Sequence, residues 1–343
     1  MRSYGIKLFL ICLCCILGLS LSIALPASAK EKPILVRVGH QEPPDSQNDH
    51  DCHVFSELVY LKSNGRIEVK VFPASLLGKG VSMLEAVQAG SQDITFQISP
   101  VIGLVKEARY WDLPYLFEDR DAVTRFVTSP LMKWDQENYL KKNLVLLGYF
   151  DLGYRCLSNN LRPVYTPEDL NGMKVRVAAG PTKILIWKSF GASPTPWAYS
   201  EAYQALKQGV FDGIDSVMTG YWYSKFYEVQ KYLNLTRQVY NPQIMVAGKP
   251  FWDRLPEWAR PILKEAAQEA SHVARYANRQ AEANLVAKLA EKGMKVNELT
   301  EEGKKLFRQA AQPCYDEYEK LVGKARLQEI VKIAGTKYKD YMK

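Results

Sequence analysis

The chain has 343 residues, 47% of them hydrophobic, with a formal net charge of +8 and six cysteines. That length accommodates two domains with cores of their own. The basic residues are scattered, with no basic run interleaved with aromatics, so nucleic acid is not an expected partner.

Arg2 and Lys7 precede an apolar run, Leu8–Leu25, and Ala27-Ser28-Ala29 follows it as a small-residue cleavage site. The pattern predicts a secretory signal peptide over residues 1–29, with Lys30 as the first mature residue and the periplasm as destination. The run is about long enough to span a bilayer, but the site directly behind it favours removal over retention as an anchor. Removal leaves 314 residues and, since the segment carries two basic and no acidic residues, a charge of +6. Cys52, Cys156 and Cys314 then remain, enough for at most one disulfide.

The mature chain begins with an apolar strand, Ile34–Val38, a polar loop "GHQEPPDSQND" and a helix over about His50–Leu61. Ile67, Val69 and Val71 alternate with charged residues and predict a second strand. A helix over about Gly80–Gly90 and a third strand, "DITFQIS", follow. Strands alternating with helices predict an α/β layer with a largely parallel sheet. The pattern restarts with a strand, "NLVLLGYFDLG", a helix start capped by Thr166 with Pro167 in its first turn, and a strand "MKVRVA". A helix over Thr182–Phe190, a helix capped by Ser200 and ending at Gly209, and a short strand reaching Asp215 complete a second α/β unit. Pro261–Lys292, free of internal glycine and proline and stopped by Gly293, predicts one helix of about 48 Å, long enough to span both units.

Motifs for catalysis are missing. "LLGKGVS" does not meet the spacing of a phosphate loop, there is no G-x-S-x-G or H-E-x-x-H, and the chain has only four histidines. "NDHDCH", residues 48–53, places His50 and His53 at i, i+3, with Asp49 or Cys52 able to complete a zinc shell. The same residues suit the polar first turn of a helix. Arg176 stands between Val175 and Val177 in a strand-like alternation, where burying a guanidinium is costly without an anionic partner. A structural ion pair would satisfy it. Arg155, near the end of the preceding strand, points elsewhere: two arginines on adjacent strand ends would converge on one anion, and guanidinium forks match a carboxylate.

The stretches "GYRCLSNNLRPVYTPEDLNGMKVRV", "GASPTPWAYSEAYQALKQGVFDGID" and "KFYEVQKYLNLT" resemble the DctP-like solute-binding proteins of tripartite ATP-independent periplasmic (TRAP) transporters. "SNGRIEVKVFPASLLG", "MLEAVQAGSQDITF" and "DLPYLFEDRDAV" extend the resemblance into the N-terminal half. It implies a two-domain periplasmic-binding-protein-like α/β fold with a domain-spanning helix, closing on a small organic acid. Domain I would comprise residues 30–152 and 242–280, and domain II residues 153–241 and 281–343. It also implies that Arg176 pairs with the ligand carboxylate and Arg155 supports it. Gln41, Ser99, Trp197, Tyr199, Asp215, Ser216 and Trp222 complete the expected ligand set, with no metal and no cofactor. Membrane subunits of the transporter are the expected protein partners, and the binding protein itself is expected to be a monomer.

Departures from the family pattern bear on the ligand. Many members read "DGQENP" where this chain has "DGIDSV", so Ser216 replaces the usual asparagine. Ile98 stands where some sugar-acid binders have an acidic residue, and Ala179 where some relatives have a polar one. With Trp197, Tyr199, Tyr221 and Trp222 nearby in sequence, these predict a monocarboxylate with an apolar or aromatic body, rather than a sugar acid or a C4-dicarboxylate. The rival readings are a secreted enzyme, which would turn its ligand over, and a metal-binding receptor, which would carry stoichiometric metal.

Overall fold

The computed structural model describes residues 32–335, so the expected leader lies outside the described residues. Among these, no helix is long and apolar enough to cross a membrane.

The chain opens with β1 (Ile34–Gly39), α1 (Gln47–Lys62), β2 (Ile67–Phe72), α2 (Gly80–Ala89) and β3 (Ile94–Phe96). Alternation places Ile67 and Val69 in the core and Glu68 and Lys70 in solvent, as a half-buried strand requires. Helix α1 starts earlier than its polarity suggests because the Ser46 hydroxyl accepts from the Asp49 N–H and caps it. Strand β3 stops short of the expected "QIS": Pro100 favours a first helical turn, and Ser99 opens α3 (Ser99–Leu104).

A 3-10 segment, Lys106–Asp112, then α4 (Arg120–Val127) and α5 (Leu131–Leu140), lead to β4 (Leu144–Asn159). The second unit holds β5 (Lys174–Val177), α6 (Pro181–Ser189), β6 (Ser193–Pro196), α7 (Ala202–Lys207), β7 (Gly213–Val217), α8 (Met218–Tyr223) and β8 (Tyr232–Gly248). After it come α9 (Lys249–Arg254), α10 (Ala259–Glu291), β9 (Lys295–Glu298), α11 (Glu301–Ala310), α12 (Gln312–Val322) and α13 (Lys324–Ala334). Two expected helix starts differ. Thr166 forms its capping box with Asp169, but only a single 3-10 turn follows, Pro167–Leu170, before Gly172 adopts a positive φ of 77°. Ser200 caps nothing; it sits inside a 3-10 turn, Tyr199–Glu201, that runs into α7.

The nine strands form one sheet in the order β2-β1-β3-β8-β4-β7-β5-β6, with β9 beside β8. Each half is parallel within itself, β1 with β2 and β3, β5 with β6 and β7, whereas β4 and β8 run antiparallel to each other and to β7 and β3 respectively, and β9 runs parallel to β8. These two long strands, of 16 and 17 residues, link the halves. Their ladder breaks between Asp151 and Tyr154, opposite Pro242, where proline has no N–H to donate and Gly153 takes a φ of 94°.

Helix α10 spans 33 residues without interruption, about 50 Å at the ordinary rise. Pro261 falls in its first turn, where its missing N–H breaks no bond, and Gly293 follows the last turn with a φ of 98°. Ala259, Leu263, Ala266 and Ala270 pack with Val36, Phe55 and Ile94 of the first unit. Leu285 and Leu289 pack with Met218, Phe226 and Leu233 of the second. Between the two patches Asn278 donates to the Asp151 carbonyl, and Arg120 pairs with Asp151 at 2.7 Å and also with Glu282. Cys52, Cys156 and Cys314 are buried free thiols.

Gly248 closes β8 against the end of α2, and a Cβ there would overlap the Val87 carbonyl oxygen, which is backbone and cannot swing aside. Gly248→Ala is therefore expected to destabilise the protein by about 1–3 kcal/mol or more, read as a lower urea midpoint. An unchanged midpoint would show that this strand end has slack.

Candidate functional site

A cavity of about 490 Å³ opens where the strands of the two halves end. The segments that follow β1, β3, β5, β6 and β7 all contribute to it, as ligand sites of α/β sheets do at carboxyl ends of strands. Gln41 and Glu42 come from the β1–α1 loop, Gln97, Ile98 and Ser99 from the end of β3, and Arg176, Ala178 and Ala179 from β5 and its exit. Trp197 and Tyr199 follow β6, Ser216 lies on β7, and Arg155, Asn241 and Gln243 face in from β4 and β8.

Arg176 is 2% exposed. Its Nε and Nη2 donate to the Trp197 carbonyl at 3.0 and 2.6 Å, and the guanidinium carbon lies 5.5 Å from the centre of the Tyr199 ring. It forms no salt bridge with a carboxylate of any described residue. Burial first, and then the positive charge of Arg155, lower its pKa to about 10, so it remains charged at neutral pH. Arg155 differs in being already paired. Its Nε donates to Asp215 Oδ1 at 2.7 Å and its Nη1 to Asn241 Oδ1 at 3.4 Å. Burial disfavours the Arg155 charge, but Asp215 outweighs that effect and raises the pKa. The two arginines are not on adjacent strands as expected: β7 lies between β4 and β5. Their partners on that strand, Val217 and Ile214, are three residues apart, yet both arginines line the cavity and each feels the other's charge.

Of the residues expected from sequence, Arg176, Arg155, Gln41, Ser99, Trp197, Tyr199 and Ser216 line the cavity. Asp215 does not. It is 1% exposed and lies behind the wall, accepting from Arg155, from Trp187 Nε1 at 3.0 Å and from Gln238 Nε2 at 3.1 Å. Trp222 also points away, with its ring 5.6 Å from that of Tyr227, and Tyr221 is core, donating to the Cys156 and Ile214 carbonyls. Helical periodicity explains this: Thr219, Gly220 and Tyr223 share the face of α8 that meets the cavity, so Tyr221 and Trp222 fall on others.

Sequence reasoning missed several polar lining residues, Glu42, Gln97, Asn241 and Gln243, whereas Asn48 belongs to the 48–53 cluster it had singled out. Glu42 and Gln97 stand just past strand ends, which was the available signal, whereas Asn241 and Gln243 lie within β8 and carried none. Burial pushes the Glu42 carboxyl up to about 7, opposed by the neighbouring Tyr199 hydroxyl and by the charges of Arg176 and Arg155. Asn48, 1% exposed, has no hydrogen-bond partner for either side-chain atom. The histidines of the same segment do not gather around a metal. Asp49 engages His40 at 3.0 Å and lies 3.8 Å from the largely exposed His53, Cys52 is in the core, and no described residues form a three-ligand group.

A mixed sheet whose two long strands and one long helix connect two α/β units, with a charged cleft between strand ends, defines a periplasmic-type binding protein. Residues 38–321 match the family of bacterial extracellular solute-binding proteins, family 7 (DctP), and the chain belongs to that family. Its members are the non-enzymatic solute-binding components of TRAP transport. A solute-binding protein of Chromohalobacter salexigens is 31% identical over 303 residues, covering 88% of this chain and 89% of the relative. The succinate-bound TRAP periplasmic solute-binding protein of Sulfurospirillum deleyianum superposes with a TM-score of 0.82 at 28% identity, over 87% of this chain and 98% of the other. The D-erythronate-bound protein of Polaromonas sp. JS666 gives 0.83 at 31% identity, over 89% and 99%.

Asp215→Ala would leave Arg155 as an unpaired buried charge, and the expected cost is about 3–5 kcal/mol of stability, measured by urea denaturation. A loss below about 1 kcal/mol would show that Arg155 is solvated through the cleft.

Proposed function

We propose that this protein captures a small monocarboxylate with an apolar or aromatic body in the periplasm and delivers it to the membrane subunits of an ion-gradient-driven TRAP transporter. The observation that carries this reading is Arg176: a buried, ionised guanidinium that opens on the cavity and has no carboxylate of its own. Arg155, fixed by Asp215, supports the same anion from the side. Ile98, Val81, Pro100, Leu152, Ala179 and the Trp197 ring supply apolar wall. Gln97, Asn241 and Gln243 favour a second reading, a hydroxylated acid of the kind bound by the Polaromonas protein.

Residues 30–152 with 242–280, and 153–241 with 281–343, are proposed to close on the solute as two bodies. Lys79 of the first already bridges to Glu201 of the second beside the cavity. Solute is expected to decrease the radius of gyration in small-angle scattering, and an unchanged radius at saturation would indicate a rigid scaffold.

Arg176→Ala is expected to weaken binding by about 2–5 kcal/mol, roughly 30-fold to several thousandfold, without unfolding the protein. Arg155→Ala should lose less affinity and more stability, because it strands Asp215. Calorimetry checks both, and near-normal affinity of Arg176→Ala would remove the anchor from this account. A thermal-shift panel separates the two readings of the ligand: aryl and branched-chain acids should stabilise more than uronates or C4-dicarboxylates, and the reverse order would support the hydroxylated acid.

A further inference from the structure

The charges facing the cavity do not balance once a plain carboxylate enters. Arg155 is neutralised by Asp215, and Lys79 by Glu201. Arg176 and Glu42 remain, one positive and one negative, each without a salt-bridge partner among the described residues. A monoanion placed on Arg176 compensates that charge and leaves Glu42 as an uncompensated carboxylate in a cleft that closes. A solute that also brings a positive charge compensates both.

The wall around Glu42 is built for a donor. Glu42 lies beside the Tyr199 hydroxyl, which is 2.8 Å from Ser224 Oγ, and it makes no salt bridge among the described residues, so its carboxyl keeps acceptor capacity. The first turn of α1 brings Asn48 to the cavity with both its Oδ1 and its Nδ2 unpartnered, at 1% exposure, where an unmet polar atom is costly. The acceptor that sequence placed at Asp215 is not available there, since three donors occupy it.

We propose that Glu42 and Asn48 form a subsite for a protonated amine, and that the solute is a zwitterion with its carboxylate on Arg176 and its ammonium group on Glu42. The inference rests on the carboxylate reading of Arg176. It predicts opposite pH dependences for two ligand types. The groups facing Glu42 are Arg176 from β5, Arg155 from β4 and Tyr199 after β6, and none of them titrates near neutrality. Burial holds the Glu42 carboxyl at about 7. A plain monocarboxylate therefore requires Glu42 to take up a proton on binding, and its affinity falls by up to about tenfold per pH unit above that value. An amine requires Glu42 ionised, and its affinity falls as pH drops through the same value.

The test is titration calorimetry of matched pairs that share a body and differ only by the amine: leucine against 4-methylpentanoate, phenylalanine against 3-phenylpropionate, and 4-aminobutyrate against butyrate. In the wild-type protein at about pH 7.5 the amine of at least one pair should bind about tenfold or more tighter than its partner. Glu42→Gln should weaken that amine by at least about tenfold and tighten the plain acid by roughly fourfold at this pH, because glutamine removes the need for proton uptake. Repeating the wild-type titrations in buffers of different ionisation enthalpy needs no variant: the plain acid should take up most of a proton and the amine should release a small fraction of one. The proposal is overturned if no amine binds, if plain acids bind as tightly as their amines, or if Glu42→Gln leaves the ratio unchanged. Arg176→Ala separates this from the underlying reading, because it should abolish both members of a pair. If it spares them, the carboxylate anchor fails, whereas a lost anchor effect with an unchanged pair ratio in Glu42→Gln condemns only the amine subsite.

Discussion

Two guanidinium groups brought together in a cleft of low polarity repel each other, and each loses hydration that a protein carbonyl replaces only in part. The site resolves half of this conflict internally. Asp215 neutralises Arg155 and is itself held by Trp187 and Gln238, so that pair belongs to the framework. Arg176 is left with the Trp197 carbonyl and the face of Tyr199. The asymmetry assigns the roles: one arginine is fixed, and the other retains an unmet demand for an anion. In the proposed function a solute carboxylate would fulfil that demand, and the gain, available only in the occupied cleft, would be the differential contact that the proposed closure requires.

The rest of the fold serves this constraint. Strand β7 lies between β4 and β5, and the two arginines reach the cavity from either side of it, paired three residues apart along it with Val217 and Ile214. The long strands β4 and β8 carry the chain from one unit to the other, and their ladder is interrupted opposite Pro242, close to the lining residues Asn241 and Gln243. Helix α10 packs on both units and is tied at Asp151, beside that interruption. Elements that can bend and elements that hold therefore meet next to the cavity.

Periodicity made the α/β order, the long helix and Arg176 legible in the sequence, because each is a local pattern: alternation about Val175 and Val177, or a glycine-free and proline-free run before Gly293. Strand neighbours were not legible, since adjacency in the sheet is a tertiary fact, and β7 entered between two strands that sequence placed side by side. The same limit explains Asp215, Tyr221 and Trp222. Their chemistry suited a binding wall, but a strand alternates its faces and a helix turns about 100° per residue, so neighbours of a site residue are often directed away from it. Glu42 went unnoticed for the opposite reason. A polar loop before a helix has a sufficient local explanation in capping, and only the folded sheet shows that this loop stands across from Arg176.

The most direct measurement is a crystal structure of the protein with the solute it retains from its native host. The account predicts density for a carboxylate whose oxygens lie within hydrogen-bond distance of the Arg176 Nη atoms, with the Arg155–Asp215 pair undisturbed behind it. A retained solute with no carboxylate, or one whose carboxylate sits away from Arg176, would contradict it.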